Sequence, residues 1–369
     1  MHSYEKSLIK RTSQFVSKDP NETSGNVGWI SPSNIAIVKY WGKYSGQIPA
    51  NPSLSITLSE ARSKTRMAFV YDEKQSETAV NFKFNGREEK AFKKRIKDYL
   101  ISLEVFMPWI HKTSFSIESE NSFPHSSGIA SSASALSSIA LGLCEIEEKI
   151  IGISDPEFFR KASFFARLGS GSASRSLFPG MAVWGFSSSY KDSTDEYAVP
   201  VKDIHPDFHN MRDSILIIES GRKKVSSSTG HELMKTNPYA KLRFEAAEDN
   251  MQKLCSVTKA GDIGEFIDIM ENEALSLHAM MMTSKPGFIL MKPNTVNAIE
   301  KIREYRFSTG NSVGFTLDAG ANVHVIYPDK DKEEVSSFIE SALKPLCENN
   351  KVIHDRMGHG PEKLSHASG

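Results

Sequence analysis

The sequence predicts an α+β protein of two domains that share a cleft. Its 369 residues exceed what one hydrophobic core usually organises. Short apolar runs that read as strands are interspersed, in no strict rotation, with amphipathic stretches that read as helices. At 39% hydrophobic and 24% charged residues, the composition is that of an ordinary globular chain able to bury a core.

Taken in order, residues 1–25 mix charges with Ser, Asn, Pro and Gly without a sustained period, and are expected to be a flexible leader of little consequence for chemistry. From Ile35, the runs IAIV, SLSITLS, TRMAFVY and VNFKFNG read as strands of a mixed sheet. AFKKRIKDYLISLEVF reads as a helix, TSFSIESEN as a strand, and Ile129 to Lys149 as a second helix, with Ala133, Leu136, Ala140 and Leu143 at helical spacing. A third helix, DPEFFRKASFFARLG, has the start signal Ser154, Asp155, Pro156 and a stop at Gly169. The polar stretch after Ser187 places the end of the first domain near residue 205, so the expected domains are 26–205 and 206–369. The second opens with the strand SILIIES and continues through long helical patterns. It closes with strands VGFTLDAG and NVHVIYP around a tight turn, the helix KEEVSSFIESALKPL and a last strand at KVIHD.

Several functions are disfavoured at once. Forty-five basic residues balance forty-five acidic ones, so no global field would hold the chain on nucleic acid or an anionic membrane, and an anion site must be a local arrangement. Cys144, Cys255 and Cys347 are too scattered for a zinc site or a disulfide framework, and fit a reducing compartment. The polar N-terminus lacks the apolar core of a signal peptide, and no later stretch approaches a membrane span, so a cytoplasmic protein is expected.

Four segments could carry chemistry. In PHSSGIASSASA, Ser126, Ser127, Gly128, Ala130, Ser131 and Ser132 lie where a helix begins, and free backbone N–H groups there attract phosphate oxygens. A plain helix start with small residues for close packing is the alternative, and the Walker lysine pattern is missing. In ARLGSGSASRS, a small-residue loop with Ser170 and Ser172 delivers Arg175, whose planar fork can grip a carboxylate or phosphate. In NIAIVKYWGKY, Lys39 and Lys43 flank Tyr40 at a strand end, either as an anion clamp or as a solvated basic turn. In TLDAGAN, Asp318 ends a strand before a flexible turn, as a general base, a metal ligand or a turn-capping aspartate. Each is weak alone; together they are what an ATP-using enzyme needs. His231, His278, His354 and His359 have no convincing third ligand, and they are assigned with Met280 to Met282 to packing or turns.

These segments, in this order, resemble the GHMP superfamily of small-molecule kinases and, more narrowly, the diphosphomevalonate decarboxylases. The resemblance runs from about Ser31 to Pro361 and rests on NIAIVKYWGK, NPSLSITL, PHSSGIASSAS, ARLGSGSASRS, VSSSTGH and TLDAGANVH. It implies a first domain like the second domain of ribosomal protein S5, a ferredoxin-like second domain and a homodimer. It also implies a reaction in which ATP and Mg²⁺ convert mevalonate 5-diphosphate to isopentenyl diphosphate, ADP, phosphate and CO₂. By position, Asp318 would orient or deprotonate the 3-hydroxyl, and Lys39 would stabilise the charge that moves between ATP and that oxygen. Arg175 would hold the carboxylate, while Ser170, Ser172, Tyr40 and Lys43 would hold the diphosphate. The loop Ser126 to Ser132 would hold ATP, with Ser132 a candidate Mg²⁺ ligand.

The chain departs from the pattern in its loop PHSSGIASS and in Pro52 after Asn51. Rival readings are a 5-monophosphate decarboxylase, a mevalonate 3-kinase that stops at phosphorylation, and a catalytically silent ligand sensor. Nucleic-acid binding has no basic stripe with aromatics behind it.

Overall fold

SLSITLS and TRMAFVY, read separately from the sequence, form one strand. The computed structural model describes residues 3–15, 20, 22–123, 131–221 and 227–365. Helix α1 (Ser3–Phe15) precedes strand β1 (Ser24–Val38), and the long strand β2 (Ser53–Tyr71) runs antiparallel to it. No Gly, Pro, Asn or Asp lies between Leu58 and Thr65, and the Asp355 carboxylate accepts the backbone N–H groups of Ser59, Glu60 and Ala61, each at 2.8 Å. The strand therefore continues where sequence periodicity alone suggested a break. Its first seven residues are buried on both faces and the rest alternate, as expected of a strand covered twice at one end and once at the other.

The first sheet is completed by β3 (Ala79–Phe84), β4 (Arg87–Glu88), β5 (Thr113–Asn121), β6 (Met181–Trp184), β7 (Val199–Pro200) and, from the far end of the chain, β12 (Glu362–Lys363). Its main order is β12-β1-β2-β5-β3-β4, with β6 and β7 branching from β2; among the described residues only β3 and β5 pair in parallel. Helices α2 (Lys90–Leu103), α3 (Ser131–Ile151) and α4 (Phe158–Gly169) pack on this sheet around Phe69, Ile117, Leu136, Ile139, Phe164 and Phe165. The serine-rich sequence of α3 has a packing role: Ser137 pairs with Ser31, Ser134 with Ser63, and Ser138 with Thr65, at 2.6–2.7 Å. Small hydroxyls bring helix and sheet close together and satisfy each other's hydrogen-bonding capacity.

The second sheet is antiparallel, in the order β11-β8-β10-β9, from β8 (Arg212–Leu216), β9 (Gly314–Leu317), β10 (Val323–Tyr327) and β11 (Val352–Arg356). With it go helices α5 (Ser227–Leu233), α6 (Ala240–Ala260), α7 (Ile263–Met282), α8 (Pro293–Thr309) and α9 (Lys332–Phe338). A core of Ile35, Ile37, Leu54 and Ile56 with Phe208, Ile215, Met251 and Phe266 fastens the first sheet to these helices. The mixed α+β architecture expected from the sequence is present, with both sheets flanked by helices. Among the described residues, no helix is long and apolar enough to cross a membrane.

The expected flexible leader needs correction. Over Ser3–Phe15 it is a helix with Leu8 buried in the first core and Tyr4 edge-on to Phe164 and Tyr197. The buried Glu196 carboxylate accepts the N–H groups of Tyr4 (3.1 Å) and Glu5 (2.8 Å), so the helix start is capped from another part of the chain. Ser3 at its start turns its hydroxyl to the same Glu196 (3.4 Å), and a cap supplied from so far along the chain is what propensity missed. The last residues counted as leader, Ser24 and Gly25, already belong to β1.

Glu196→Ala removes this remote cap and should destabilise the protein by about 1–2 kcal/mol in urea unfolding, with faster amide exchange confined to Ser3–Phe15. An unchanged midpoint and exchange pattern would mean that the cap does not hold α1 in place.

Candidate active site

Between the end of β1, the start of α3, the turn after α4 and the turn after β9 lies a cavity of about 460 Å³. Its walls include Lys39, Tyr40, Lys43, Ser131, Ser132, Ser170, Ser172, Arg175 and Asp318. Every described residue assigned to the candidate site from the sequence therefore lines it. Ser126, Ser127, Gly128 and Ala130 lie outside the described residues.

Lys39 directly follows β1 and is almost wholly buried, 2% exposed. Its Nζ donates to Ala36 O (2.5 Å) and Thr316 Oγ1 (2.7 Å), while its backbone N–H donates to Glu273 of α7 (2.9 Å). Burial pushes its pKa down to about 8, even though the Asp318 and Glu273 carboxylates favour the cation. The chain then turns through Gly42, whose φ of +97° and closeness to Phe244 exclude a side chain. Tyr40 is held edge-on to Trp184 at 4.6 Å; burial raises its pKa, and its hydroxyl has no partner among the described residues. Lys43 is half-buried with Nζ on Gln47 Oε1 at 2.9 Å, and its pKa is lowered, chiefly by burial.

Arg175 sits in the tight turn Gly171–Leu177, 2% exposed. Its Nε donates to Ser55 Oγ (2.9 Å), Nη1 to Ser53 Oγ (2.5 Å) and Nη2 to Asn34 Oδ1 (3.4 Å). These neutral acceptors fix the plane of the guanidinium without neutralising it; burial lowers its pKa to about 10. Gly171 is required at the head of the turn, because a Cβ there would lie 2.4 Å from the Trp184 ring. Asn34 ties the turn to β1 through Ser172 O (3.0 Å) and Ser176 Oγ (2.8 Å). Asp318 follows β9 with its backbone carbonyl on His278 Nε2 at 3.1 Å, and its charge acts on both Lys39 and Arg175.

The result is two desolvated cations and a carboxylate around a cavity with hydroxyls at its rim, a preorganised place for an anionic ligand whose charge moves during reaction. The supporting residues Asn34, Ser53, Ser55, Glu273 and Thr316 were not legible beforehand, since each acts across a long sequence separation. Arg95 of α2 was also missed: it is exposed yet lines the cavity, and desolvation there lowers its pKa with no carboxylate opposing it. In the sequence it was one basic residue of a basic helix. His231, set aside as packing, is on the cavity wall as well.

A Mg²⁺ ion fits these donors only as a companion of phosphate. Among the described residues there is no cluster of three or more His, Cys, Asp or Glu that could hold a metal, whereas the Ser132 hydroxyl and the Asp318 carboxylate are the hard oxygen donors that a phosphate-bound Mg²⁺ accepts.

A family model described as diphosphomevalonate decarboxylase-like N-terminal domain matches residues 31–195, and one described as mevalonate 5-diphosphate decarboxylase C-terminal domain matches residues 214–366. A diphosphomevalonate decarboxylase of Debaryomyces hansenii is 28% identical over 322 residues, 84% of this chain and 81% of its own length. The crystal structure of mevalonate diphosphate decarboxylase from Staphylococcus aureus superposes with a TM-score of 0.78 at 26% identity, covering 93% of this chain and 98% of that one. MDDEF, solved in complex with MVAPP, AMPPCP and magnesium, gives a TM-score of 0.77 at 26% identity over 93% of this chain and 99% of its own.

The site makes a prediction that needs no substrate. With lysines labelled at the ε-carbon and followed by NMR, Lys39 should be half neutral near pH 8, below the ordinary lysine range. Asp318→Asn removes a charge that favours the cation, so the Lys39 midpoint should fall further; an unmoved midpoint would separate the two groups electrostatically.

Proposed function

The chain belongs to the diphosphomevalonate decarboxylase family, and on that premise we propose that it decarboxylates mevalonate 5-diphosphate to isopentenyl diphosphate in an ATP-dependent reaction that begins by phosphorylating the 3-hydroxyl. The observation that carries this reading is the convergence of Lys39, Arg175 and Asp318 on one cavity that also receives the start of α3. Relatives solved with MVAPP, AMPPCP and magnesium support the choice of ligands.

In this reading, Asp318 takes the proton of the 3-hydroxyl as its oxygen bonds to the γ-phosphorus and ADP departs. Lys39, held as a donor by Ala36 and Thr316, offers a buried positive charge to the oxygens that gain charge, and no reorganisation is needed at that moment. The C3–O bond then breaks to release phosphate, the bond from the carboxylate carbon to C2 breaks to release CO₂, and that electron pair forms the C2=C3 double bond. Arg175, its plane fixed by Ser53, Ser55 and Asn34, holds the carboxylate so that the breaking bond stays aligned. Ser170, Ser172, Tyr40 and Lys43 hold the 5-diphosphate. Arg95, with Ser131 and Ser132, would face the ATP phosphates, and Ser132 would be the protein donor for a Mg²⁺ ion, which would supply charge neutralisation there.

The deciding experiment follows CO₂ and ADP together from mevalonate carrying no, one or two 5-phosphates. Release of both products with the diphosphate supports the reading. Preference for the monophosphate would reassign the substrate, and ADP without CO₂ would leave a 3-kinase.

Asp318→Asn should lower turnover by about 10²–10⁴-fold while ATP affinity measured by calorimetry stays within about twofold. Near-normal turnover would remove the proposed proton transfer. Arg175→Lys should also fail, by about 10²-fold or more, because a point charge cannot reproduce a planar fork on a carboxylate; an active lysine variant would make the arginine a structural residue.

A further inference from the structure

We propose that His231 is a substrate-contacting residue, whose Nε2–H donates to the diphosphate of the substrate beside Tyr40 and Lys43. This deepens the reading above and rests on it for the identity of the substrate.

His231 lies in α5, 7% exposed, on the wall of the cavity. Its Nδ1 lies 2.9 Å from the Gly42 backbone N–H, which can only donate, so Nδ1 is an acceptor and the proton of the neutral ring must be on Nε2. The ring packs against two aromatic neighbours, 4.2 Å from the Tyr40 centroid and 4.8 Å from that of Trp41. Gly230 makes the approach possible, since a Cβ there would lie 2.3 Å from the Trp41 ring. Thus position, tautomer and orientation are all fixed by groups other than a ligand, while Nε2–H has no partner among the described residues.

The same cavity wall contains a buried donor without a partner among the described residues, the Tyr40 hydroxyl, and the Lys43 ammonium close enough to act on His231 electrostatically. All three residues line one cavity, and the buried Tyr40 hydroxyl is costly unless a ligand satisfies it. The ligand must accept several hydrogen bonds and carry negative charge, which the terminal phosphate of a diphosphate does. Burial pushes the His231 pKa down to about 3, so it contributes a neutral hydrogen bond and leaves the charge to Lys43. A monophosphate is one phosphate shorter and cannot satisfy the whole corner. The donors left bare would penalise it, a source of discrimination between the two substrates.

Two variants separate contact from bracing. Asparagine can place its oxygen near the Nδ1 position and keep the Gly42 contact, but cannot reach as far as Nε2. Glutamine can reach the Nε2 position with an N–H donor and loses the contact to Gly42. For His231→Asn, binding of inorganic pyrophosphate measured by calorimetry should weaken about tenfold, and KM for mevalonate 5-diphosphate should rise by about the same factor with little change in kcat. His231→Gln should restore most of both. The reverse order, with Asn normal and Gln impaired, would make His231 a brace for the turn and overturn the proposal; so would equal effects in both variants, or none. Pyrophosphate binding is read without turnover. A wild-type protein that binds pyrophosphate yet releases no CO₂ from mevalonate 5-diphosphate would therefore sink the decarboxylase reading and leave the His231 contact to be judged on binding alone.

Discussion

Glu273 is the point on which the site depends. One carboxylate, 1% exposed on α7, accepts the backbone N–H of Lys39 and the guanidinium of Arg243 through one oxygen, and the side-chain amide of Asn250 at 2.7 Å through the other. A buried carboxylate is tolerated only when its lone pairs are used, and here they are used by the end of β1 and by α6. The strand that carries Lys39 is thereby fixed against the helices of the second sheet, and the cavity opens at that join.

From this anchor follows the unusual electrostatics. Lys39 and Arg175 are each 2% exposed and paired mainly with neutral oxygens, Ala36 and Thr316 for one, Ser53, Ser55 and Asn34 for the other. A carboxylate as their direct partner would quench the positive potential; hydroxyls and amides hold the cations in position and leave the potential for a ligand. Asp318 is close enough to influence both.

Two long-range ties hold the frame. Asp355 of β11 caps three consecutive amides of β2, and β12 pairs with β1, so the end of the chain closes on the sheet with which it began. The Asp355 bonds join the second sheet to β2 alongside the shared apolar core.

By itself, the sequence determined the α+β class, the order of most strands and helices, and the set Lys39, Tyr40, Lys43, Ser170, Ser172, Arg175 and Asp318 that meets in one cavity. Those features are legible because periodicity, turn chemistry and short motifs are local. Only the tertiary structure decided which neighbours charge and orient them. Glu196 caps a helix that begins far away in sequence, and Ser53 and Ser55 present themselves to Arg175 from a strand whose serines looked like ordinary alternation. His231 showed no partner in the sequence because its partner is a backbone N–H of Gly42. Such contacts join residues separated by more than a hundred positions, and no local pattern encodes a distance that folding alone brings to a few ångströms.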